Sequence, residues 1–181
     1  MIPRDAVRVH DILTDRMKLR PLAAADAADL FAARRDVEVM SFWDGPSDAS
    51  LADTKAVVDS FLSEMRSGNS VYWAIRRRDD DSFVGVCDLS DIRAGDSADL
   101  GFMLARECWG RGLGTELVAC LIAEAQSRGL RALTARIHAG NRRSERLLLR
   151  SGFCVVNETR GYEIRPGIFR DCLWIRASLP T

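Results

Sequence analysis

Apolar and polar residues alternate over 17–22 (MKLRPL) up to a proline, which predicts a strand. The period then changes: in AAADAADLFAARRD, residues 23–36, Ala28, Leu30, Phe31 and Ala32 share one helical face. The stretch DVEVMSFWDGPSDAS has no sustained period and is broken at Gly45 and Pro46. Ser50 followed by Asp53 resembles a capping box and predicts a helix over 51–66 that stops at Gly68. VYWAIRRR and SFVGVCDLS are rich in β-branched and aromatic residues, and the polar turn RDDD between them predicts an antiparallel hairpin. A strand follows over 98–104 (ADLGFML), then a helix with Leu113, Leu117, Val118, Leu121, Ile122 and Ala125 on one side, closed by Gly129. LTARIHA reads as a strand, Asn141 to Arg150 as a helix ended by Gly152, and FCVVNETRGY and FRDCLWIRASL as two closing strands.

The predicted fold class is therefore mixed α/β in one domain. No repeat, low-complexity tract or composition shift marks an internal boundary.

Between the strand at 98–104 and its helix lies ECWGRGLGTE, with glycines at 110, 112 and 114. Bare backbone at the start of a helix lets N–H groups approach an anion, and the helix adds partial positive charge there. The same glycines could serve only a tight strand-to-helix turn. A Walker A loop requires a lysine that this turn lacks. The dinucleotide fingerprint requires G-x-G-x-x-G, whereas these glycines are spaced G-x-G-x-G, and no acidic residue ends the following strand. A coenzyme A diphosphate loop is the third possibility.

Composition removes other classes. Lys plus Arg and Asp plus Glu are 26 each, so no global field favours nucleic acid or an anionic membrane. Five scattered cysteines without CxxC, and two histidines without companions at ligand spacing, argue against a metal site. No apolar run is long enough to span a bilayer and the first residues are charged, so a cytoplasmic protein is expected.

Taken together, LRPL at 19–22, FVGVCDL at 83–89, ADLGFMLARECWGRGLGTE at 98–116, NRRSERLLLRSGF at 141–153 and GIFRDCLWI at 167–175 resemble the GNAT superfamily of N-acetyltransferases, in particular its RimJ/RimL-like branch. The resemblance runs from about Met17 to Leu179. It implies a GNAT domain over 17–181 behind an N-terminal arm over 1–16, with a mostly antiparallel mixed sheet of about seven strands and about four helices. It implies acetyl-CoA as cosubstrate, no metal, an amine acceptor that is a peptide N-terminus or a small molecule, and a monomer or homodimer.

On the same resemblance, Gly110, Arg111, Gly112, Leu113, Gly114 and Thr115 hold the coenzyme A diphosphate, and Met103, Leu104 and Ala105 pair with its pantetheine arm. Trp109 replaces the Arg or Gln that usually opens the glycine signature, and a wall of the turn is its simplest role. The tyrosine of many relatives is Leu148 here, while Asn141 and Ser144 match the branch's N-x-x-S, which implies Ser144 near the coenzyme A sulfur as proton donor or hydrogen-bond partner, and Asn141 as holding the pantetheine or capping the helix. The missing tyrosine keeps open a coenzyme A-binding protein without turnover.

Transfer to an amine also needs a proton acceptor. Alternation puts Asp99 on one face with Gly101 and Met103 where relatives often carry Glu, making it the first candidate base, with Asp88 second. Phe42, Trp43 and Tyr162 are candidate acceptor contacts, in segments that could equally be solvated loop. His138 reads more simply as a structural histidine than as a base.

Overall fold

The computed structural model describes residues 9–180. Its strands are β1 (Ile12–Leu13), β2 (Met17–Pro21), β3 (Val71–Arg77), β4 (Phe83–Arg93), β5 (Ser97–Leu104), β6 (Ala132–His138), β7 (Cys154–Arg165) and β8 (Ile168–Ser178). The α-helices are α1 (Ala27–Arg34), α2 (Val37–Met40), α3 (Leu51–Ser67), α4 (Leu113–Ser127) and α5 (Arg142–Arg150). The strands form one sheet in the order β1-β2-β3-β4-β5-β6-β8-β7, antiparallel at every step except β5 with β6.

That is one strand and one helix more than the sequence pattern suggests. The extra strand, β1, is too short to carry an alternation signal and pairs Ile12 with Leu19 beside β2. The segment around it is tied to the domain: Trp73 Nε1 donates to the His10 carbonyl at 3.0 Å, and Thr14 and Arg16 both bond Glu116 on α4. Residues 1–8 of the expected N-terminal arm lie outside the described residues. The extra helix, α2, begins at Asp36, whose carboxylate accepts from the N–H groups of Glu38 and Val39.

On α1 the buried stripe is Ala27, Leu30, Ala33 and Arg34 rather than Ala28 and Ala32. Hydrophobicity alone misplaces it, because a charged residue is among the buried ones. Arg34 makes two bonds to Asp48, 2.7 and 2.9 Å, and the two side chains are 8% and 5% exposed. Asp48 also accepts the Thr54 hydroxyl at 2.6 Å, which pins the loop after α2 to α3. The Ser50/Asp53 capping box and the left-handed Gly68 bound α3 as its sequence signals require.

Helix α3 lies over one face of the sheet, where Phe61 stacks on Tyr72 of β3 at 4.4 Å. Helix α4 covers the other through Leu113, Leu117, Val118, Leu121 and Ala125. The core runs between these helices and the central strands.

Asp48 supplies a test of this packing. Burial pushes its carboxyl up, but the bonds and charge of Arg34 and the Thr54 hydroxyl hold it below the usual range. A lowered carboxylate pKa stabilises the fold above the unfolded value, near 3.9, and that stabilisation fades as pH falls through the lowered value. Asp48→Ala, which strands Arg34, should cost about 3–5 kcal/mol in urea unfolding at pH 7, with a smaller difference from the parent protein at pH 3.

Candidate active site

β5 and β6 pair only at Ser97 with Ala132, Ala98 with Leu133 and Asp99 with Thr134. Beyond those positions the two strands part, and the opening belongs to a cleft of about 1460 Å³ that reaches both faces of the sheet. On the β4 side β5 remains paired up to Leu104, and the Ala105 N–H donates to the Val84 carbonyl at 2.8 Å. Backbone groups alternate in direction along an antiparallel strand. With Ala105 committed to β4, the N–H groups of Phe102 and Leu104 face the opening. Of the three residues expected to pair with pantetheine, Leu104 therefore offers the free N–H, while its carbonyl accepts Trp109 Nε1 at 2.9 Å.

The glycine turn begins where β5 ends. Gly110 and Gly112 have φ of 72° and 76°, a backbone that side chains disfavour, and Gly112 caps α4 without any side chain over the helix end. A Cβ on Gly114 would come within 2.9 Å of Leu147 on α5, so this glycine lets the two helices close up. Arg16 braces the turn from outside, donating to the Arg111 carbonyl at 2.8 Å. Among the described residues, no protein acceptor takes the N–H groups of Gly110 to Thr115. They converge at the positive end of a fifteen-residue helix. On the facing helix α5, Arg142, Arg143 and Arg146 line the same cleft, and the Arg143 guanidinium sits 4.5 Å from the Trp109 ring centre.

A row of paired residues crosses the sheet on the α3 face: Tyr72 beside Asp88, Asp88 beside Gly101, then the opening, then Arg136 beside Trp174. Gly101 is the floor of this row, since a Cβ there would stand 2.4 Å from Asp88 Oδ1. Burial pushes the Asp88 carboxyl up to about 7; the Ser90 hydroxyl, donating at 2.8 Å, opposes the rise, and the nearby charges of Glu64 and Asp99 add to it. Tyr72 donates to Glu64 at 2.6 Å, and burial together with Asp88 and Glu64 raises its phenol, so it stays neutral.

A left-handed glycine turn at a helix start, beside a strand with one free edge, offers backbone donors suited to phosphate and amide groups. The model of the acetyltransferase (GNAT) domain matches residues 16–154. This chain belongs to the GNAT acetyltransferase family. It is similar to the uncharacterized N-acetyltransferase YoaA of Bacillus subtilis (strain 168), 26% identical over 85% of this chain and 88% of that one. Its fold is shared with the RimL ribosomal L7/L12 alpha-N-protein acetyltransferase (TM-score 0.82, 18% identity, 98% of this chain and 99% of that one). It is also shared with spermidine N-acetyltransferase from Vibrio cholerae, solved with CoA and spermine (TM-score 0.78, 15% identity, 92% and 97%).

In this GNAT cleft the expected residues fall in separate places. Asn141 caps α5, accepting from the Ser144 N–H at 3.2 Å, and the Ser144 hydroxyl has no side-chain hydrogen bond among the described residues. Asp99 lies at the closed end of the opening, exposed, and takes the Thr134 hydroxyl. Asp88 is recessed toward the middle. Phe42, 40% exposed, and Trp43 line the cleft together with Tyr162, whose ring meets Trp174 edge-on at 5.6 Å. His138 is buried, its Nε2 2.9 Å from Asp44 Oδ1. Arg136 and Trp174 went unmarked in the sequence because each occupies an ordinary alternating strand position; only the strand order brings them together. Among the described residues no helix is long and apolar enough to cross a membrane, and no three metal-ligating side chains cluster.

Asp88 should titrate near neutrality, followed by carbon NMR of its labelled carboxyl. Asp99→Asn and Glu64→Gln each remove a like charge and should move the midpoint downward, whereas a substitution at Asp44, across the opening, should leave it nearly unchanged.

Proposed function

We propose that this protein transfers the acetyl group of acetyl-CoA to a primary amine by direct attack within a ternary complex. The observation that carries this reading is the set of unclaimed N–H groups from Gly110 to Thr115 at the start of α4, opening onto the free edge of β5. In the neighbouring folds the ligands named are CoA with spermine, and acetyl-CoA with AMP in the microcin C7 self-immunity acetyltransferase MccE.

The N–H groups of Gly110, Arg111, Gly112, Leu113, Gly114 and Thr115 would hold the diphosphate, with Arg142 and Arg143 placed for further phosphate contact. Leu104 and Phe102 would pair with the pantetheine amides as a neighbouring strand does. When bound, acetyl-CoA supplies a thioester carbon open to attack. Asp88 accepts the proton of the incoming ammonium; with its carboxyl pushed up to about 7, it is basic enough to take a proton and acidic enough to be ionised at neutral pH. Asp99, the first expectation, faces the same side but already holds the Thr134 hydroxyl, and in this account its charge keeps Asp88 basic. The Leu104 N–H faces negative charge developing on the acetyl oxygen, a role worth about 3–4 kcal/mol in comparable sites. Ser144 presents its hydroxyl from the first turn of α5 as a donor to the leaving sulfur. Thiols are acidic enough that losing this donor slows the reaction without stopping it.

Calorimetry with coenzyme A should give a saturable isotherm, and Gly112→Val, which forces a branched residue to positive φ, should weaken it by about tenfold or more. Thiol release from acetyl-CoA should need an amine. Binding without release from any peptide, amino acid derivative or polyamine would leave a coenzyme A-binding protein; absence of binding would end the proposal. In pH profiles of kcat/KM, activity should rise as Asp88 ionises near 7, and Asp88→Asn should remove that limb and slow turnover about 100-fold or more.

A further inference from the structure

The glycine turn is held from one direction only. Among the described residues, the N–H groups of Gly110 to Thr115 have no protein acceptor, and Gly112 caps α4 with no side chain over the helix end. A Cβ on Gly110 would meet nothing within 4 Å. On the other side, Arg16 Nη1 donates to the Arg111 carbonyl at 2.8 Å, and among the described residues that carbonyl has no other partner. Arg16 and Glu116 are not among the residues that line the cleft, so this contact is made behind the turn.

Arg16 is itself fixed by α4 and by the sheet. Its Nε donates to Glu116 Oε2 at 2.6 Å and its backbone N–H to Oε1 at 2.8 Å, where the Thr14 hydroxyl also donates at 2.6 Å. Burial pushes the Glu116 carboxyl up, but the bonds from Thr14 and Arg16 outweigh it and hold the group below its usual range, so it is ionised at neutral pH. Arg78, just past β3, fixes the backbone of the same segment: its N–H donates to the Arg16 carbonyl at 3.0 Å and its Nη1 to the Thr14 carbonyl at 2.7 Å. The guanidinium lies directly over Gly112, where a Cβ would stand 3.4 Å from Arg16 Nη2.

Arg111 and Gly112 share one peptide plane. In a trans peptide the carbonyl and the N–H point to opposite sides, so a carbonyl tied to Arg16 directs the Gly112 N–H into the cleft. Glycine populates positive and negative φ about equally, so the plane before Gly112 can turn over at little steric cost. Turned over, it would present a carbonyl oxygen to an incoming phosphate. A hydrogen bond from a charged donor is strong enough to decide between the two orientations.

We infer that Arg16 is a positioning residue for coenzyme A: it holds the Arg111–Gly112 peptide with its N–H toward the diphosphate before the ligand arrives. Binding then loses no free energy to ordering that plane. This rests on the diphosphate site of the acetyltransferase reading and adds to it a residue behind the turn.

The test compares the parent protein with Arg16→Gln and Arg16→Lys, by calorimetry with coenzyme A and by NMR titration with pantetheine, which lacks the diphosphate. Arg16→Gln, too short to reach the Arg111 carbonyl, should weaken coenzyme A by about tenfold and leave pantetheine within about twofold. The tenfold ratio should persist in about 0.5 M salt, where long-range attraction is screened. With any amine the parent acetylates, KM for acetyl-CoA should rise by a similar factor, with kcat and the amine's KM nearly unchanged. Arg16→Lys, which keeps charge without the planar fork, should fall between, and it carries the comparison should Arg16→Gln not fold. Unchanged coenzyme A affinity, equal losses for coenzyme A and pantetheine, a loss confined to kcat, or a ratio that vanishes in salt would overturn the inference. The binding measurements decide it even where no amine is acetylated, an outcome that would end the transferase reading alone. Failure of the parent to bind coenzyme A would end both.

Discussion

Where β5 and β6 stop pairing, after Asp99 and Thr134, the sheet gives up hydrogen bonds that a continuous ladder would have made. Unpaired backbone inside a protein is unfavourable unless something else claims it. The surrounding parts are arranged around that break. The glycine turn continues directly from the freed strand, α4 directs its positive end at the opening, and α5 starts from the far side with its own capped terminus. A fold that spends backbone hydrogen bonds in this way is built to receive a ligand that supplies them.

The same break separates two chemistries. On the α4 and α5 side the cleft offers backbone donors and arginines, suited to phosphates and amides. On the α3 side it offers a recessed carboxyl with aromatic rings, suited to a small polar acceptor. Asp88 is basic because burial, Glu64 and Asp99 all disfavour its charged form, and Gly101 makes room for it. The buried Arg34–Asp48 pair anchors the loop that carries Asp44, so packing far from the opening fixes a group at its edge. Stability and site geometry are coupled through that loop.

Much of this was legible in the sequence for a definite reason. Strand and helix periods are local, so the glycine turn, the capping box at Ser50 and the N-x-x-S start of α5 could be located from neighbouring residues alone. The motifs also pointed to the GNAT family. What depended on long-range pairing was not legible. Nothing local says that β6 leaves β5 after three residues, that β8 lies between β6 and β7, or that Arg136, Trp174 and Asp44 meet. Asp88 and Asp99 could both be placed near the site, but their ranking turns on Glu64, which approaches from α3, and on the Thr134 hydroxyl from β6. The stripe on α1 was misjudged for the same reason, because burying Arg34 requires an Asp fourteen residues away.

The central claim is that the N–H groups of the glycine turn and of Leu104 are held free for an acyl-coenzyme A. Amide hydrogen exchange read by NMR tests it residue by residue. Saturating coenzyme A should slow exchange at Gly110 to Thr115 and at Leu104, with pantetheine alone protecting Leu104 but not the turn. Unchanged exchange at those amides in the presence of coenzyme A would contradict the account.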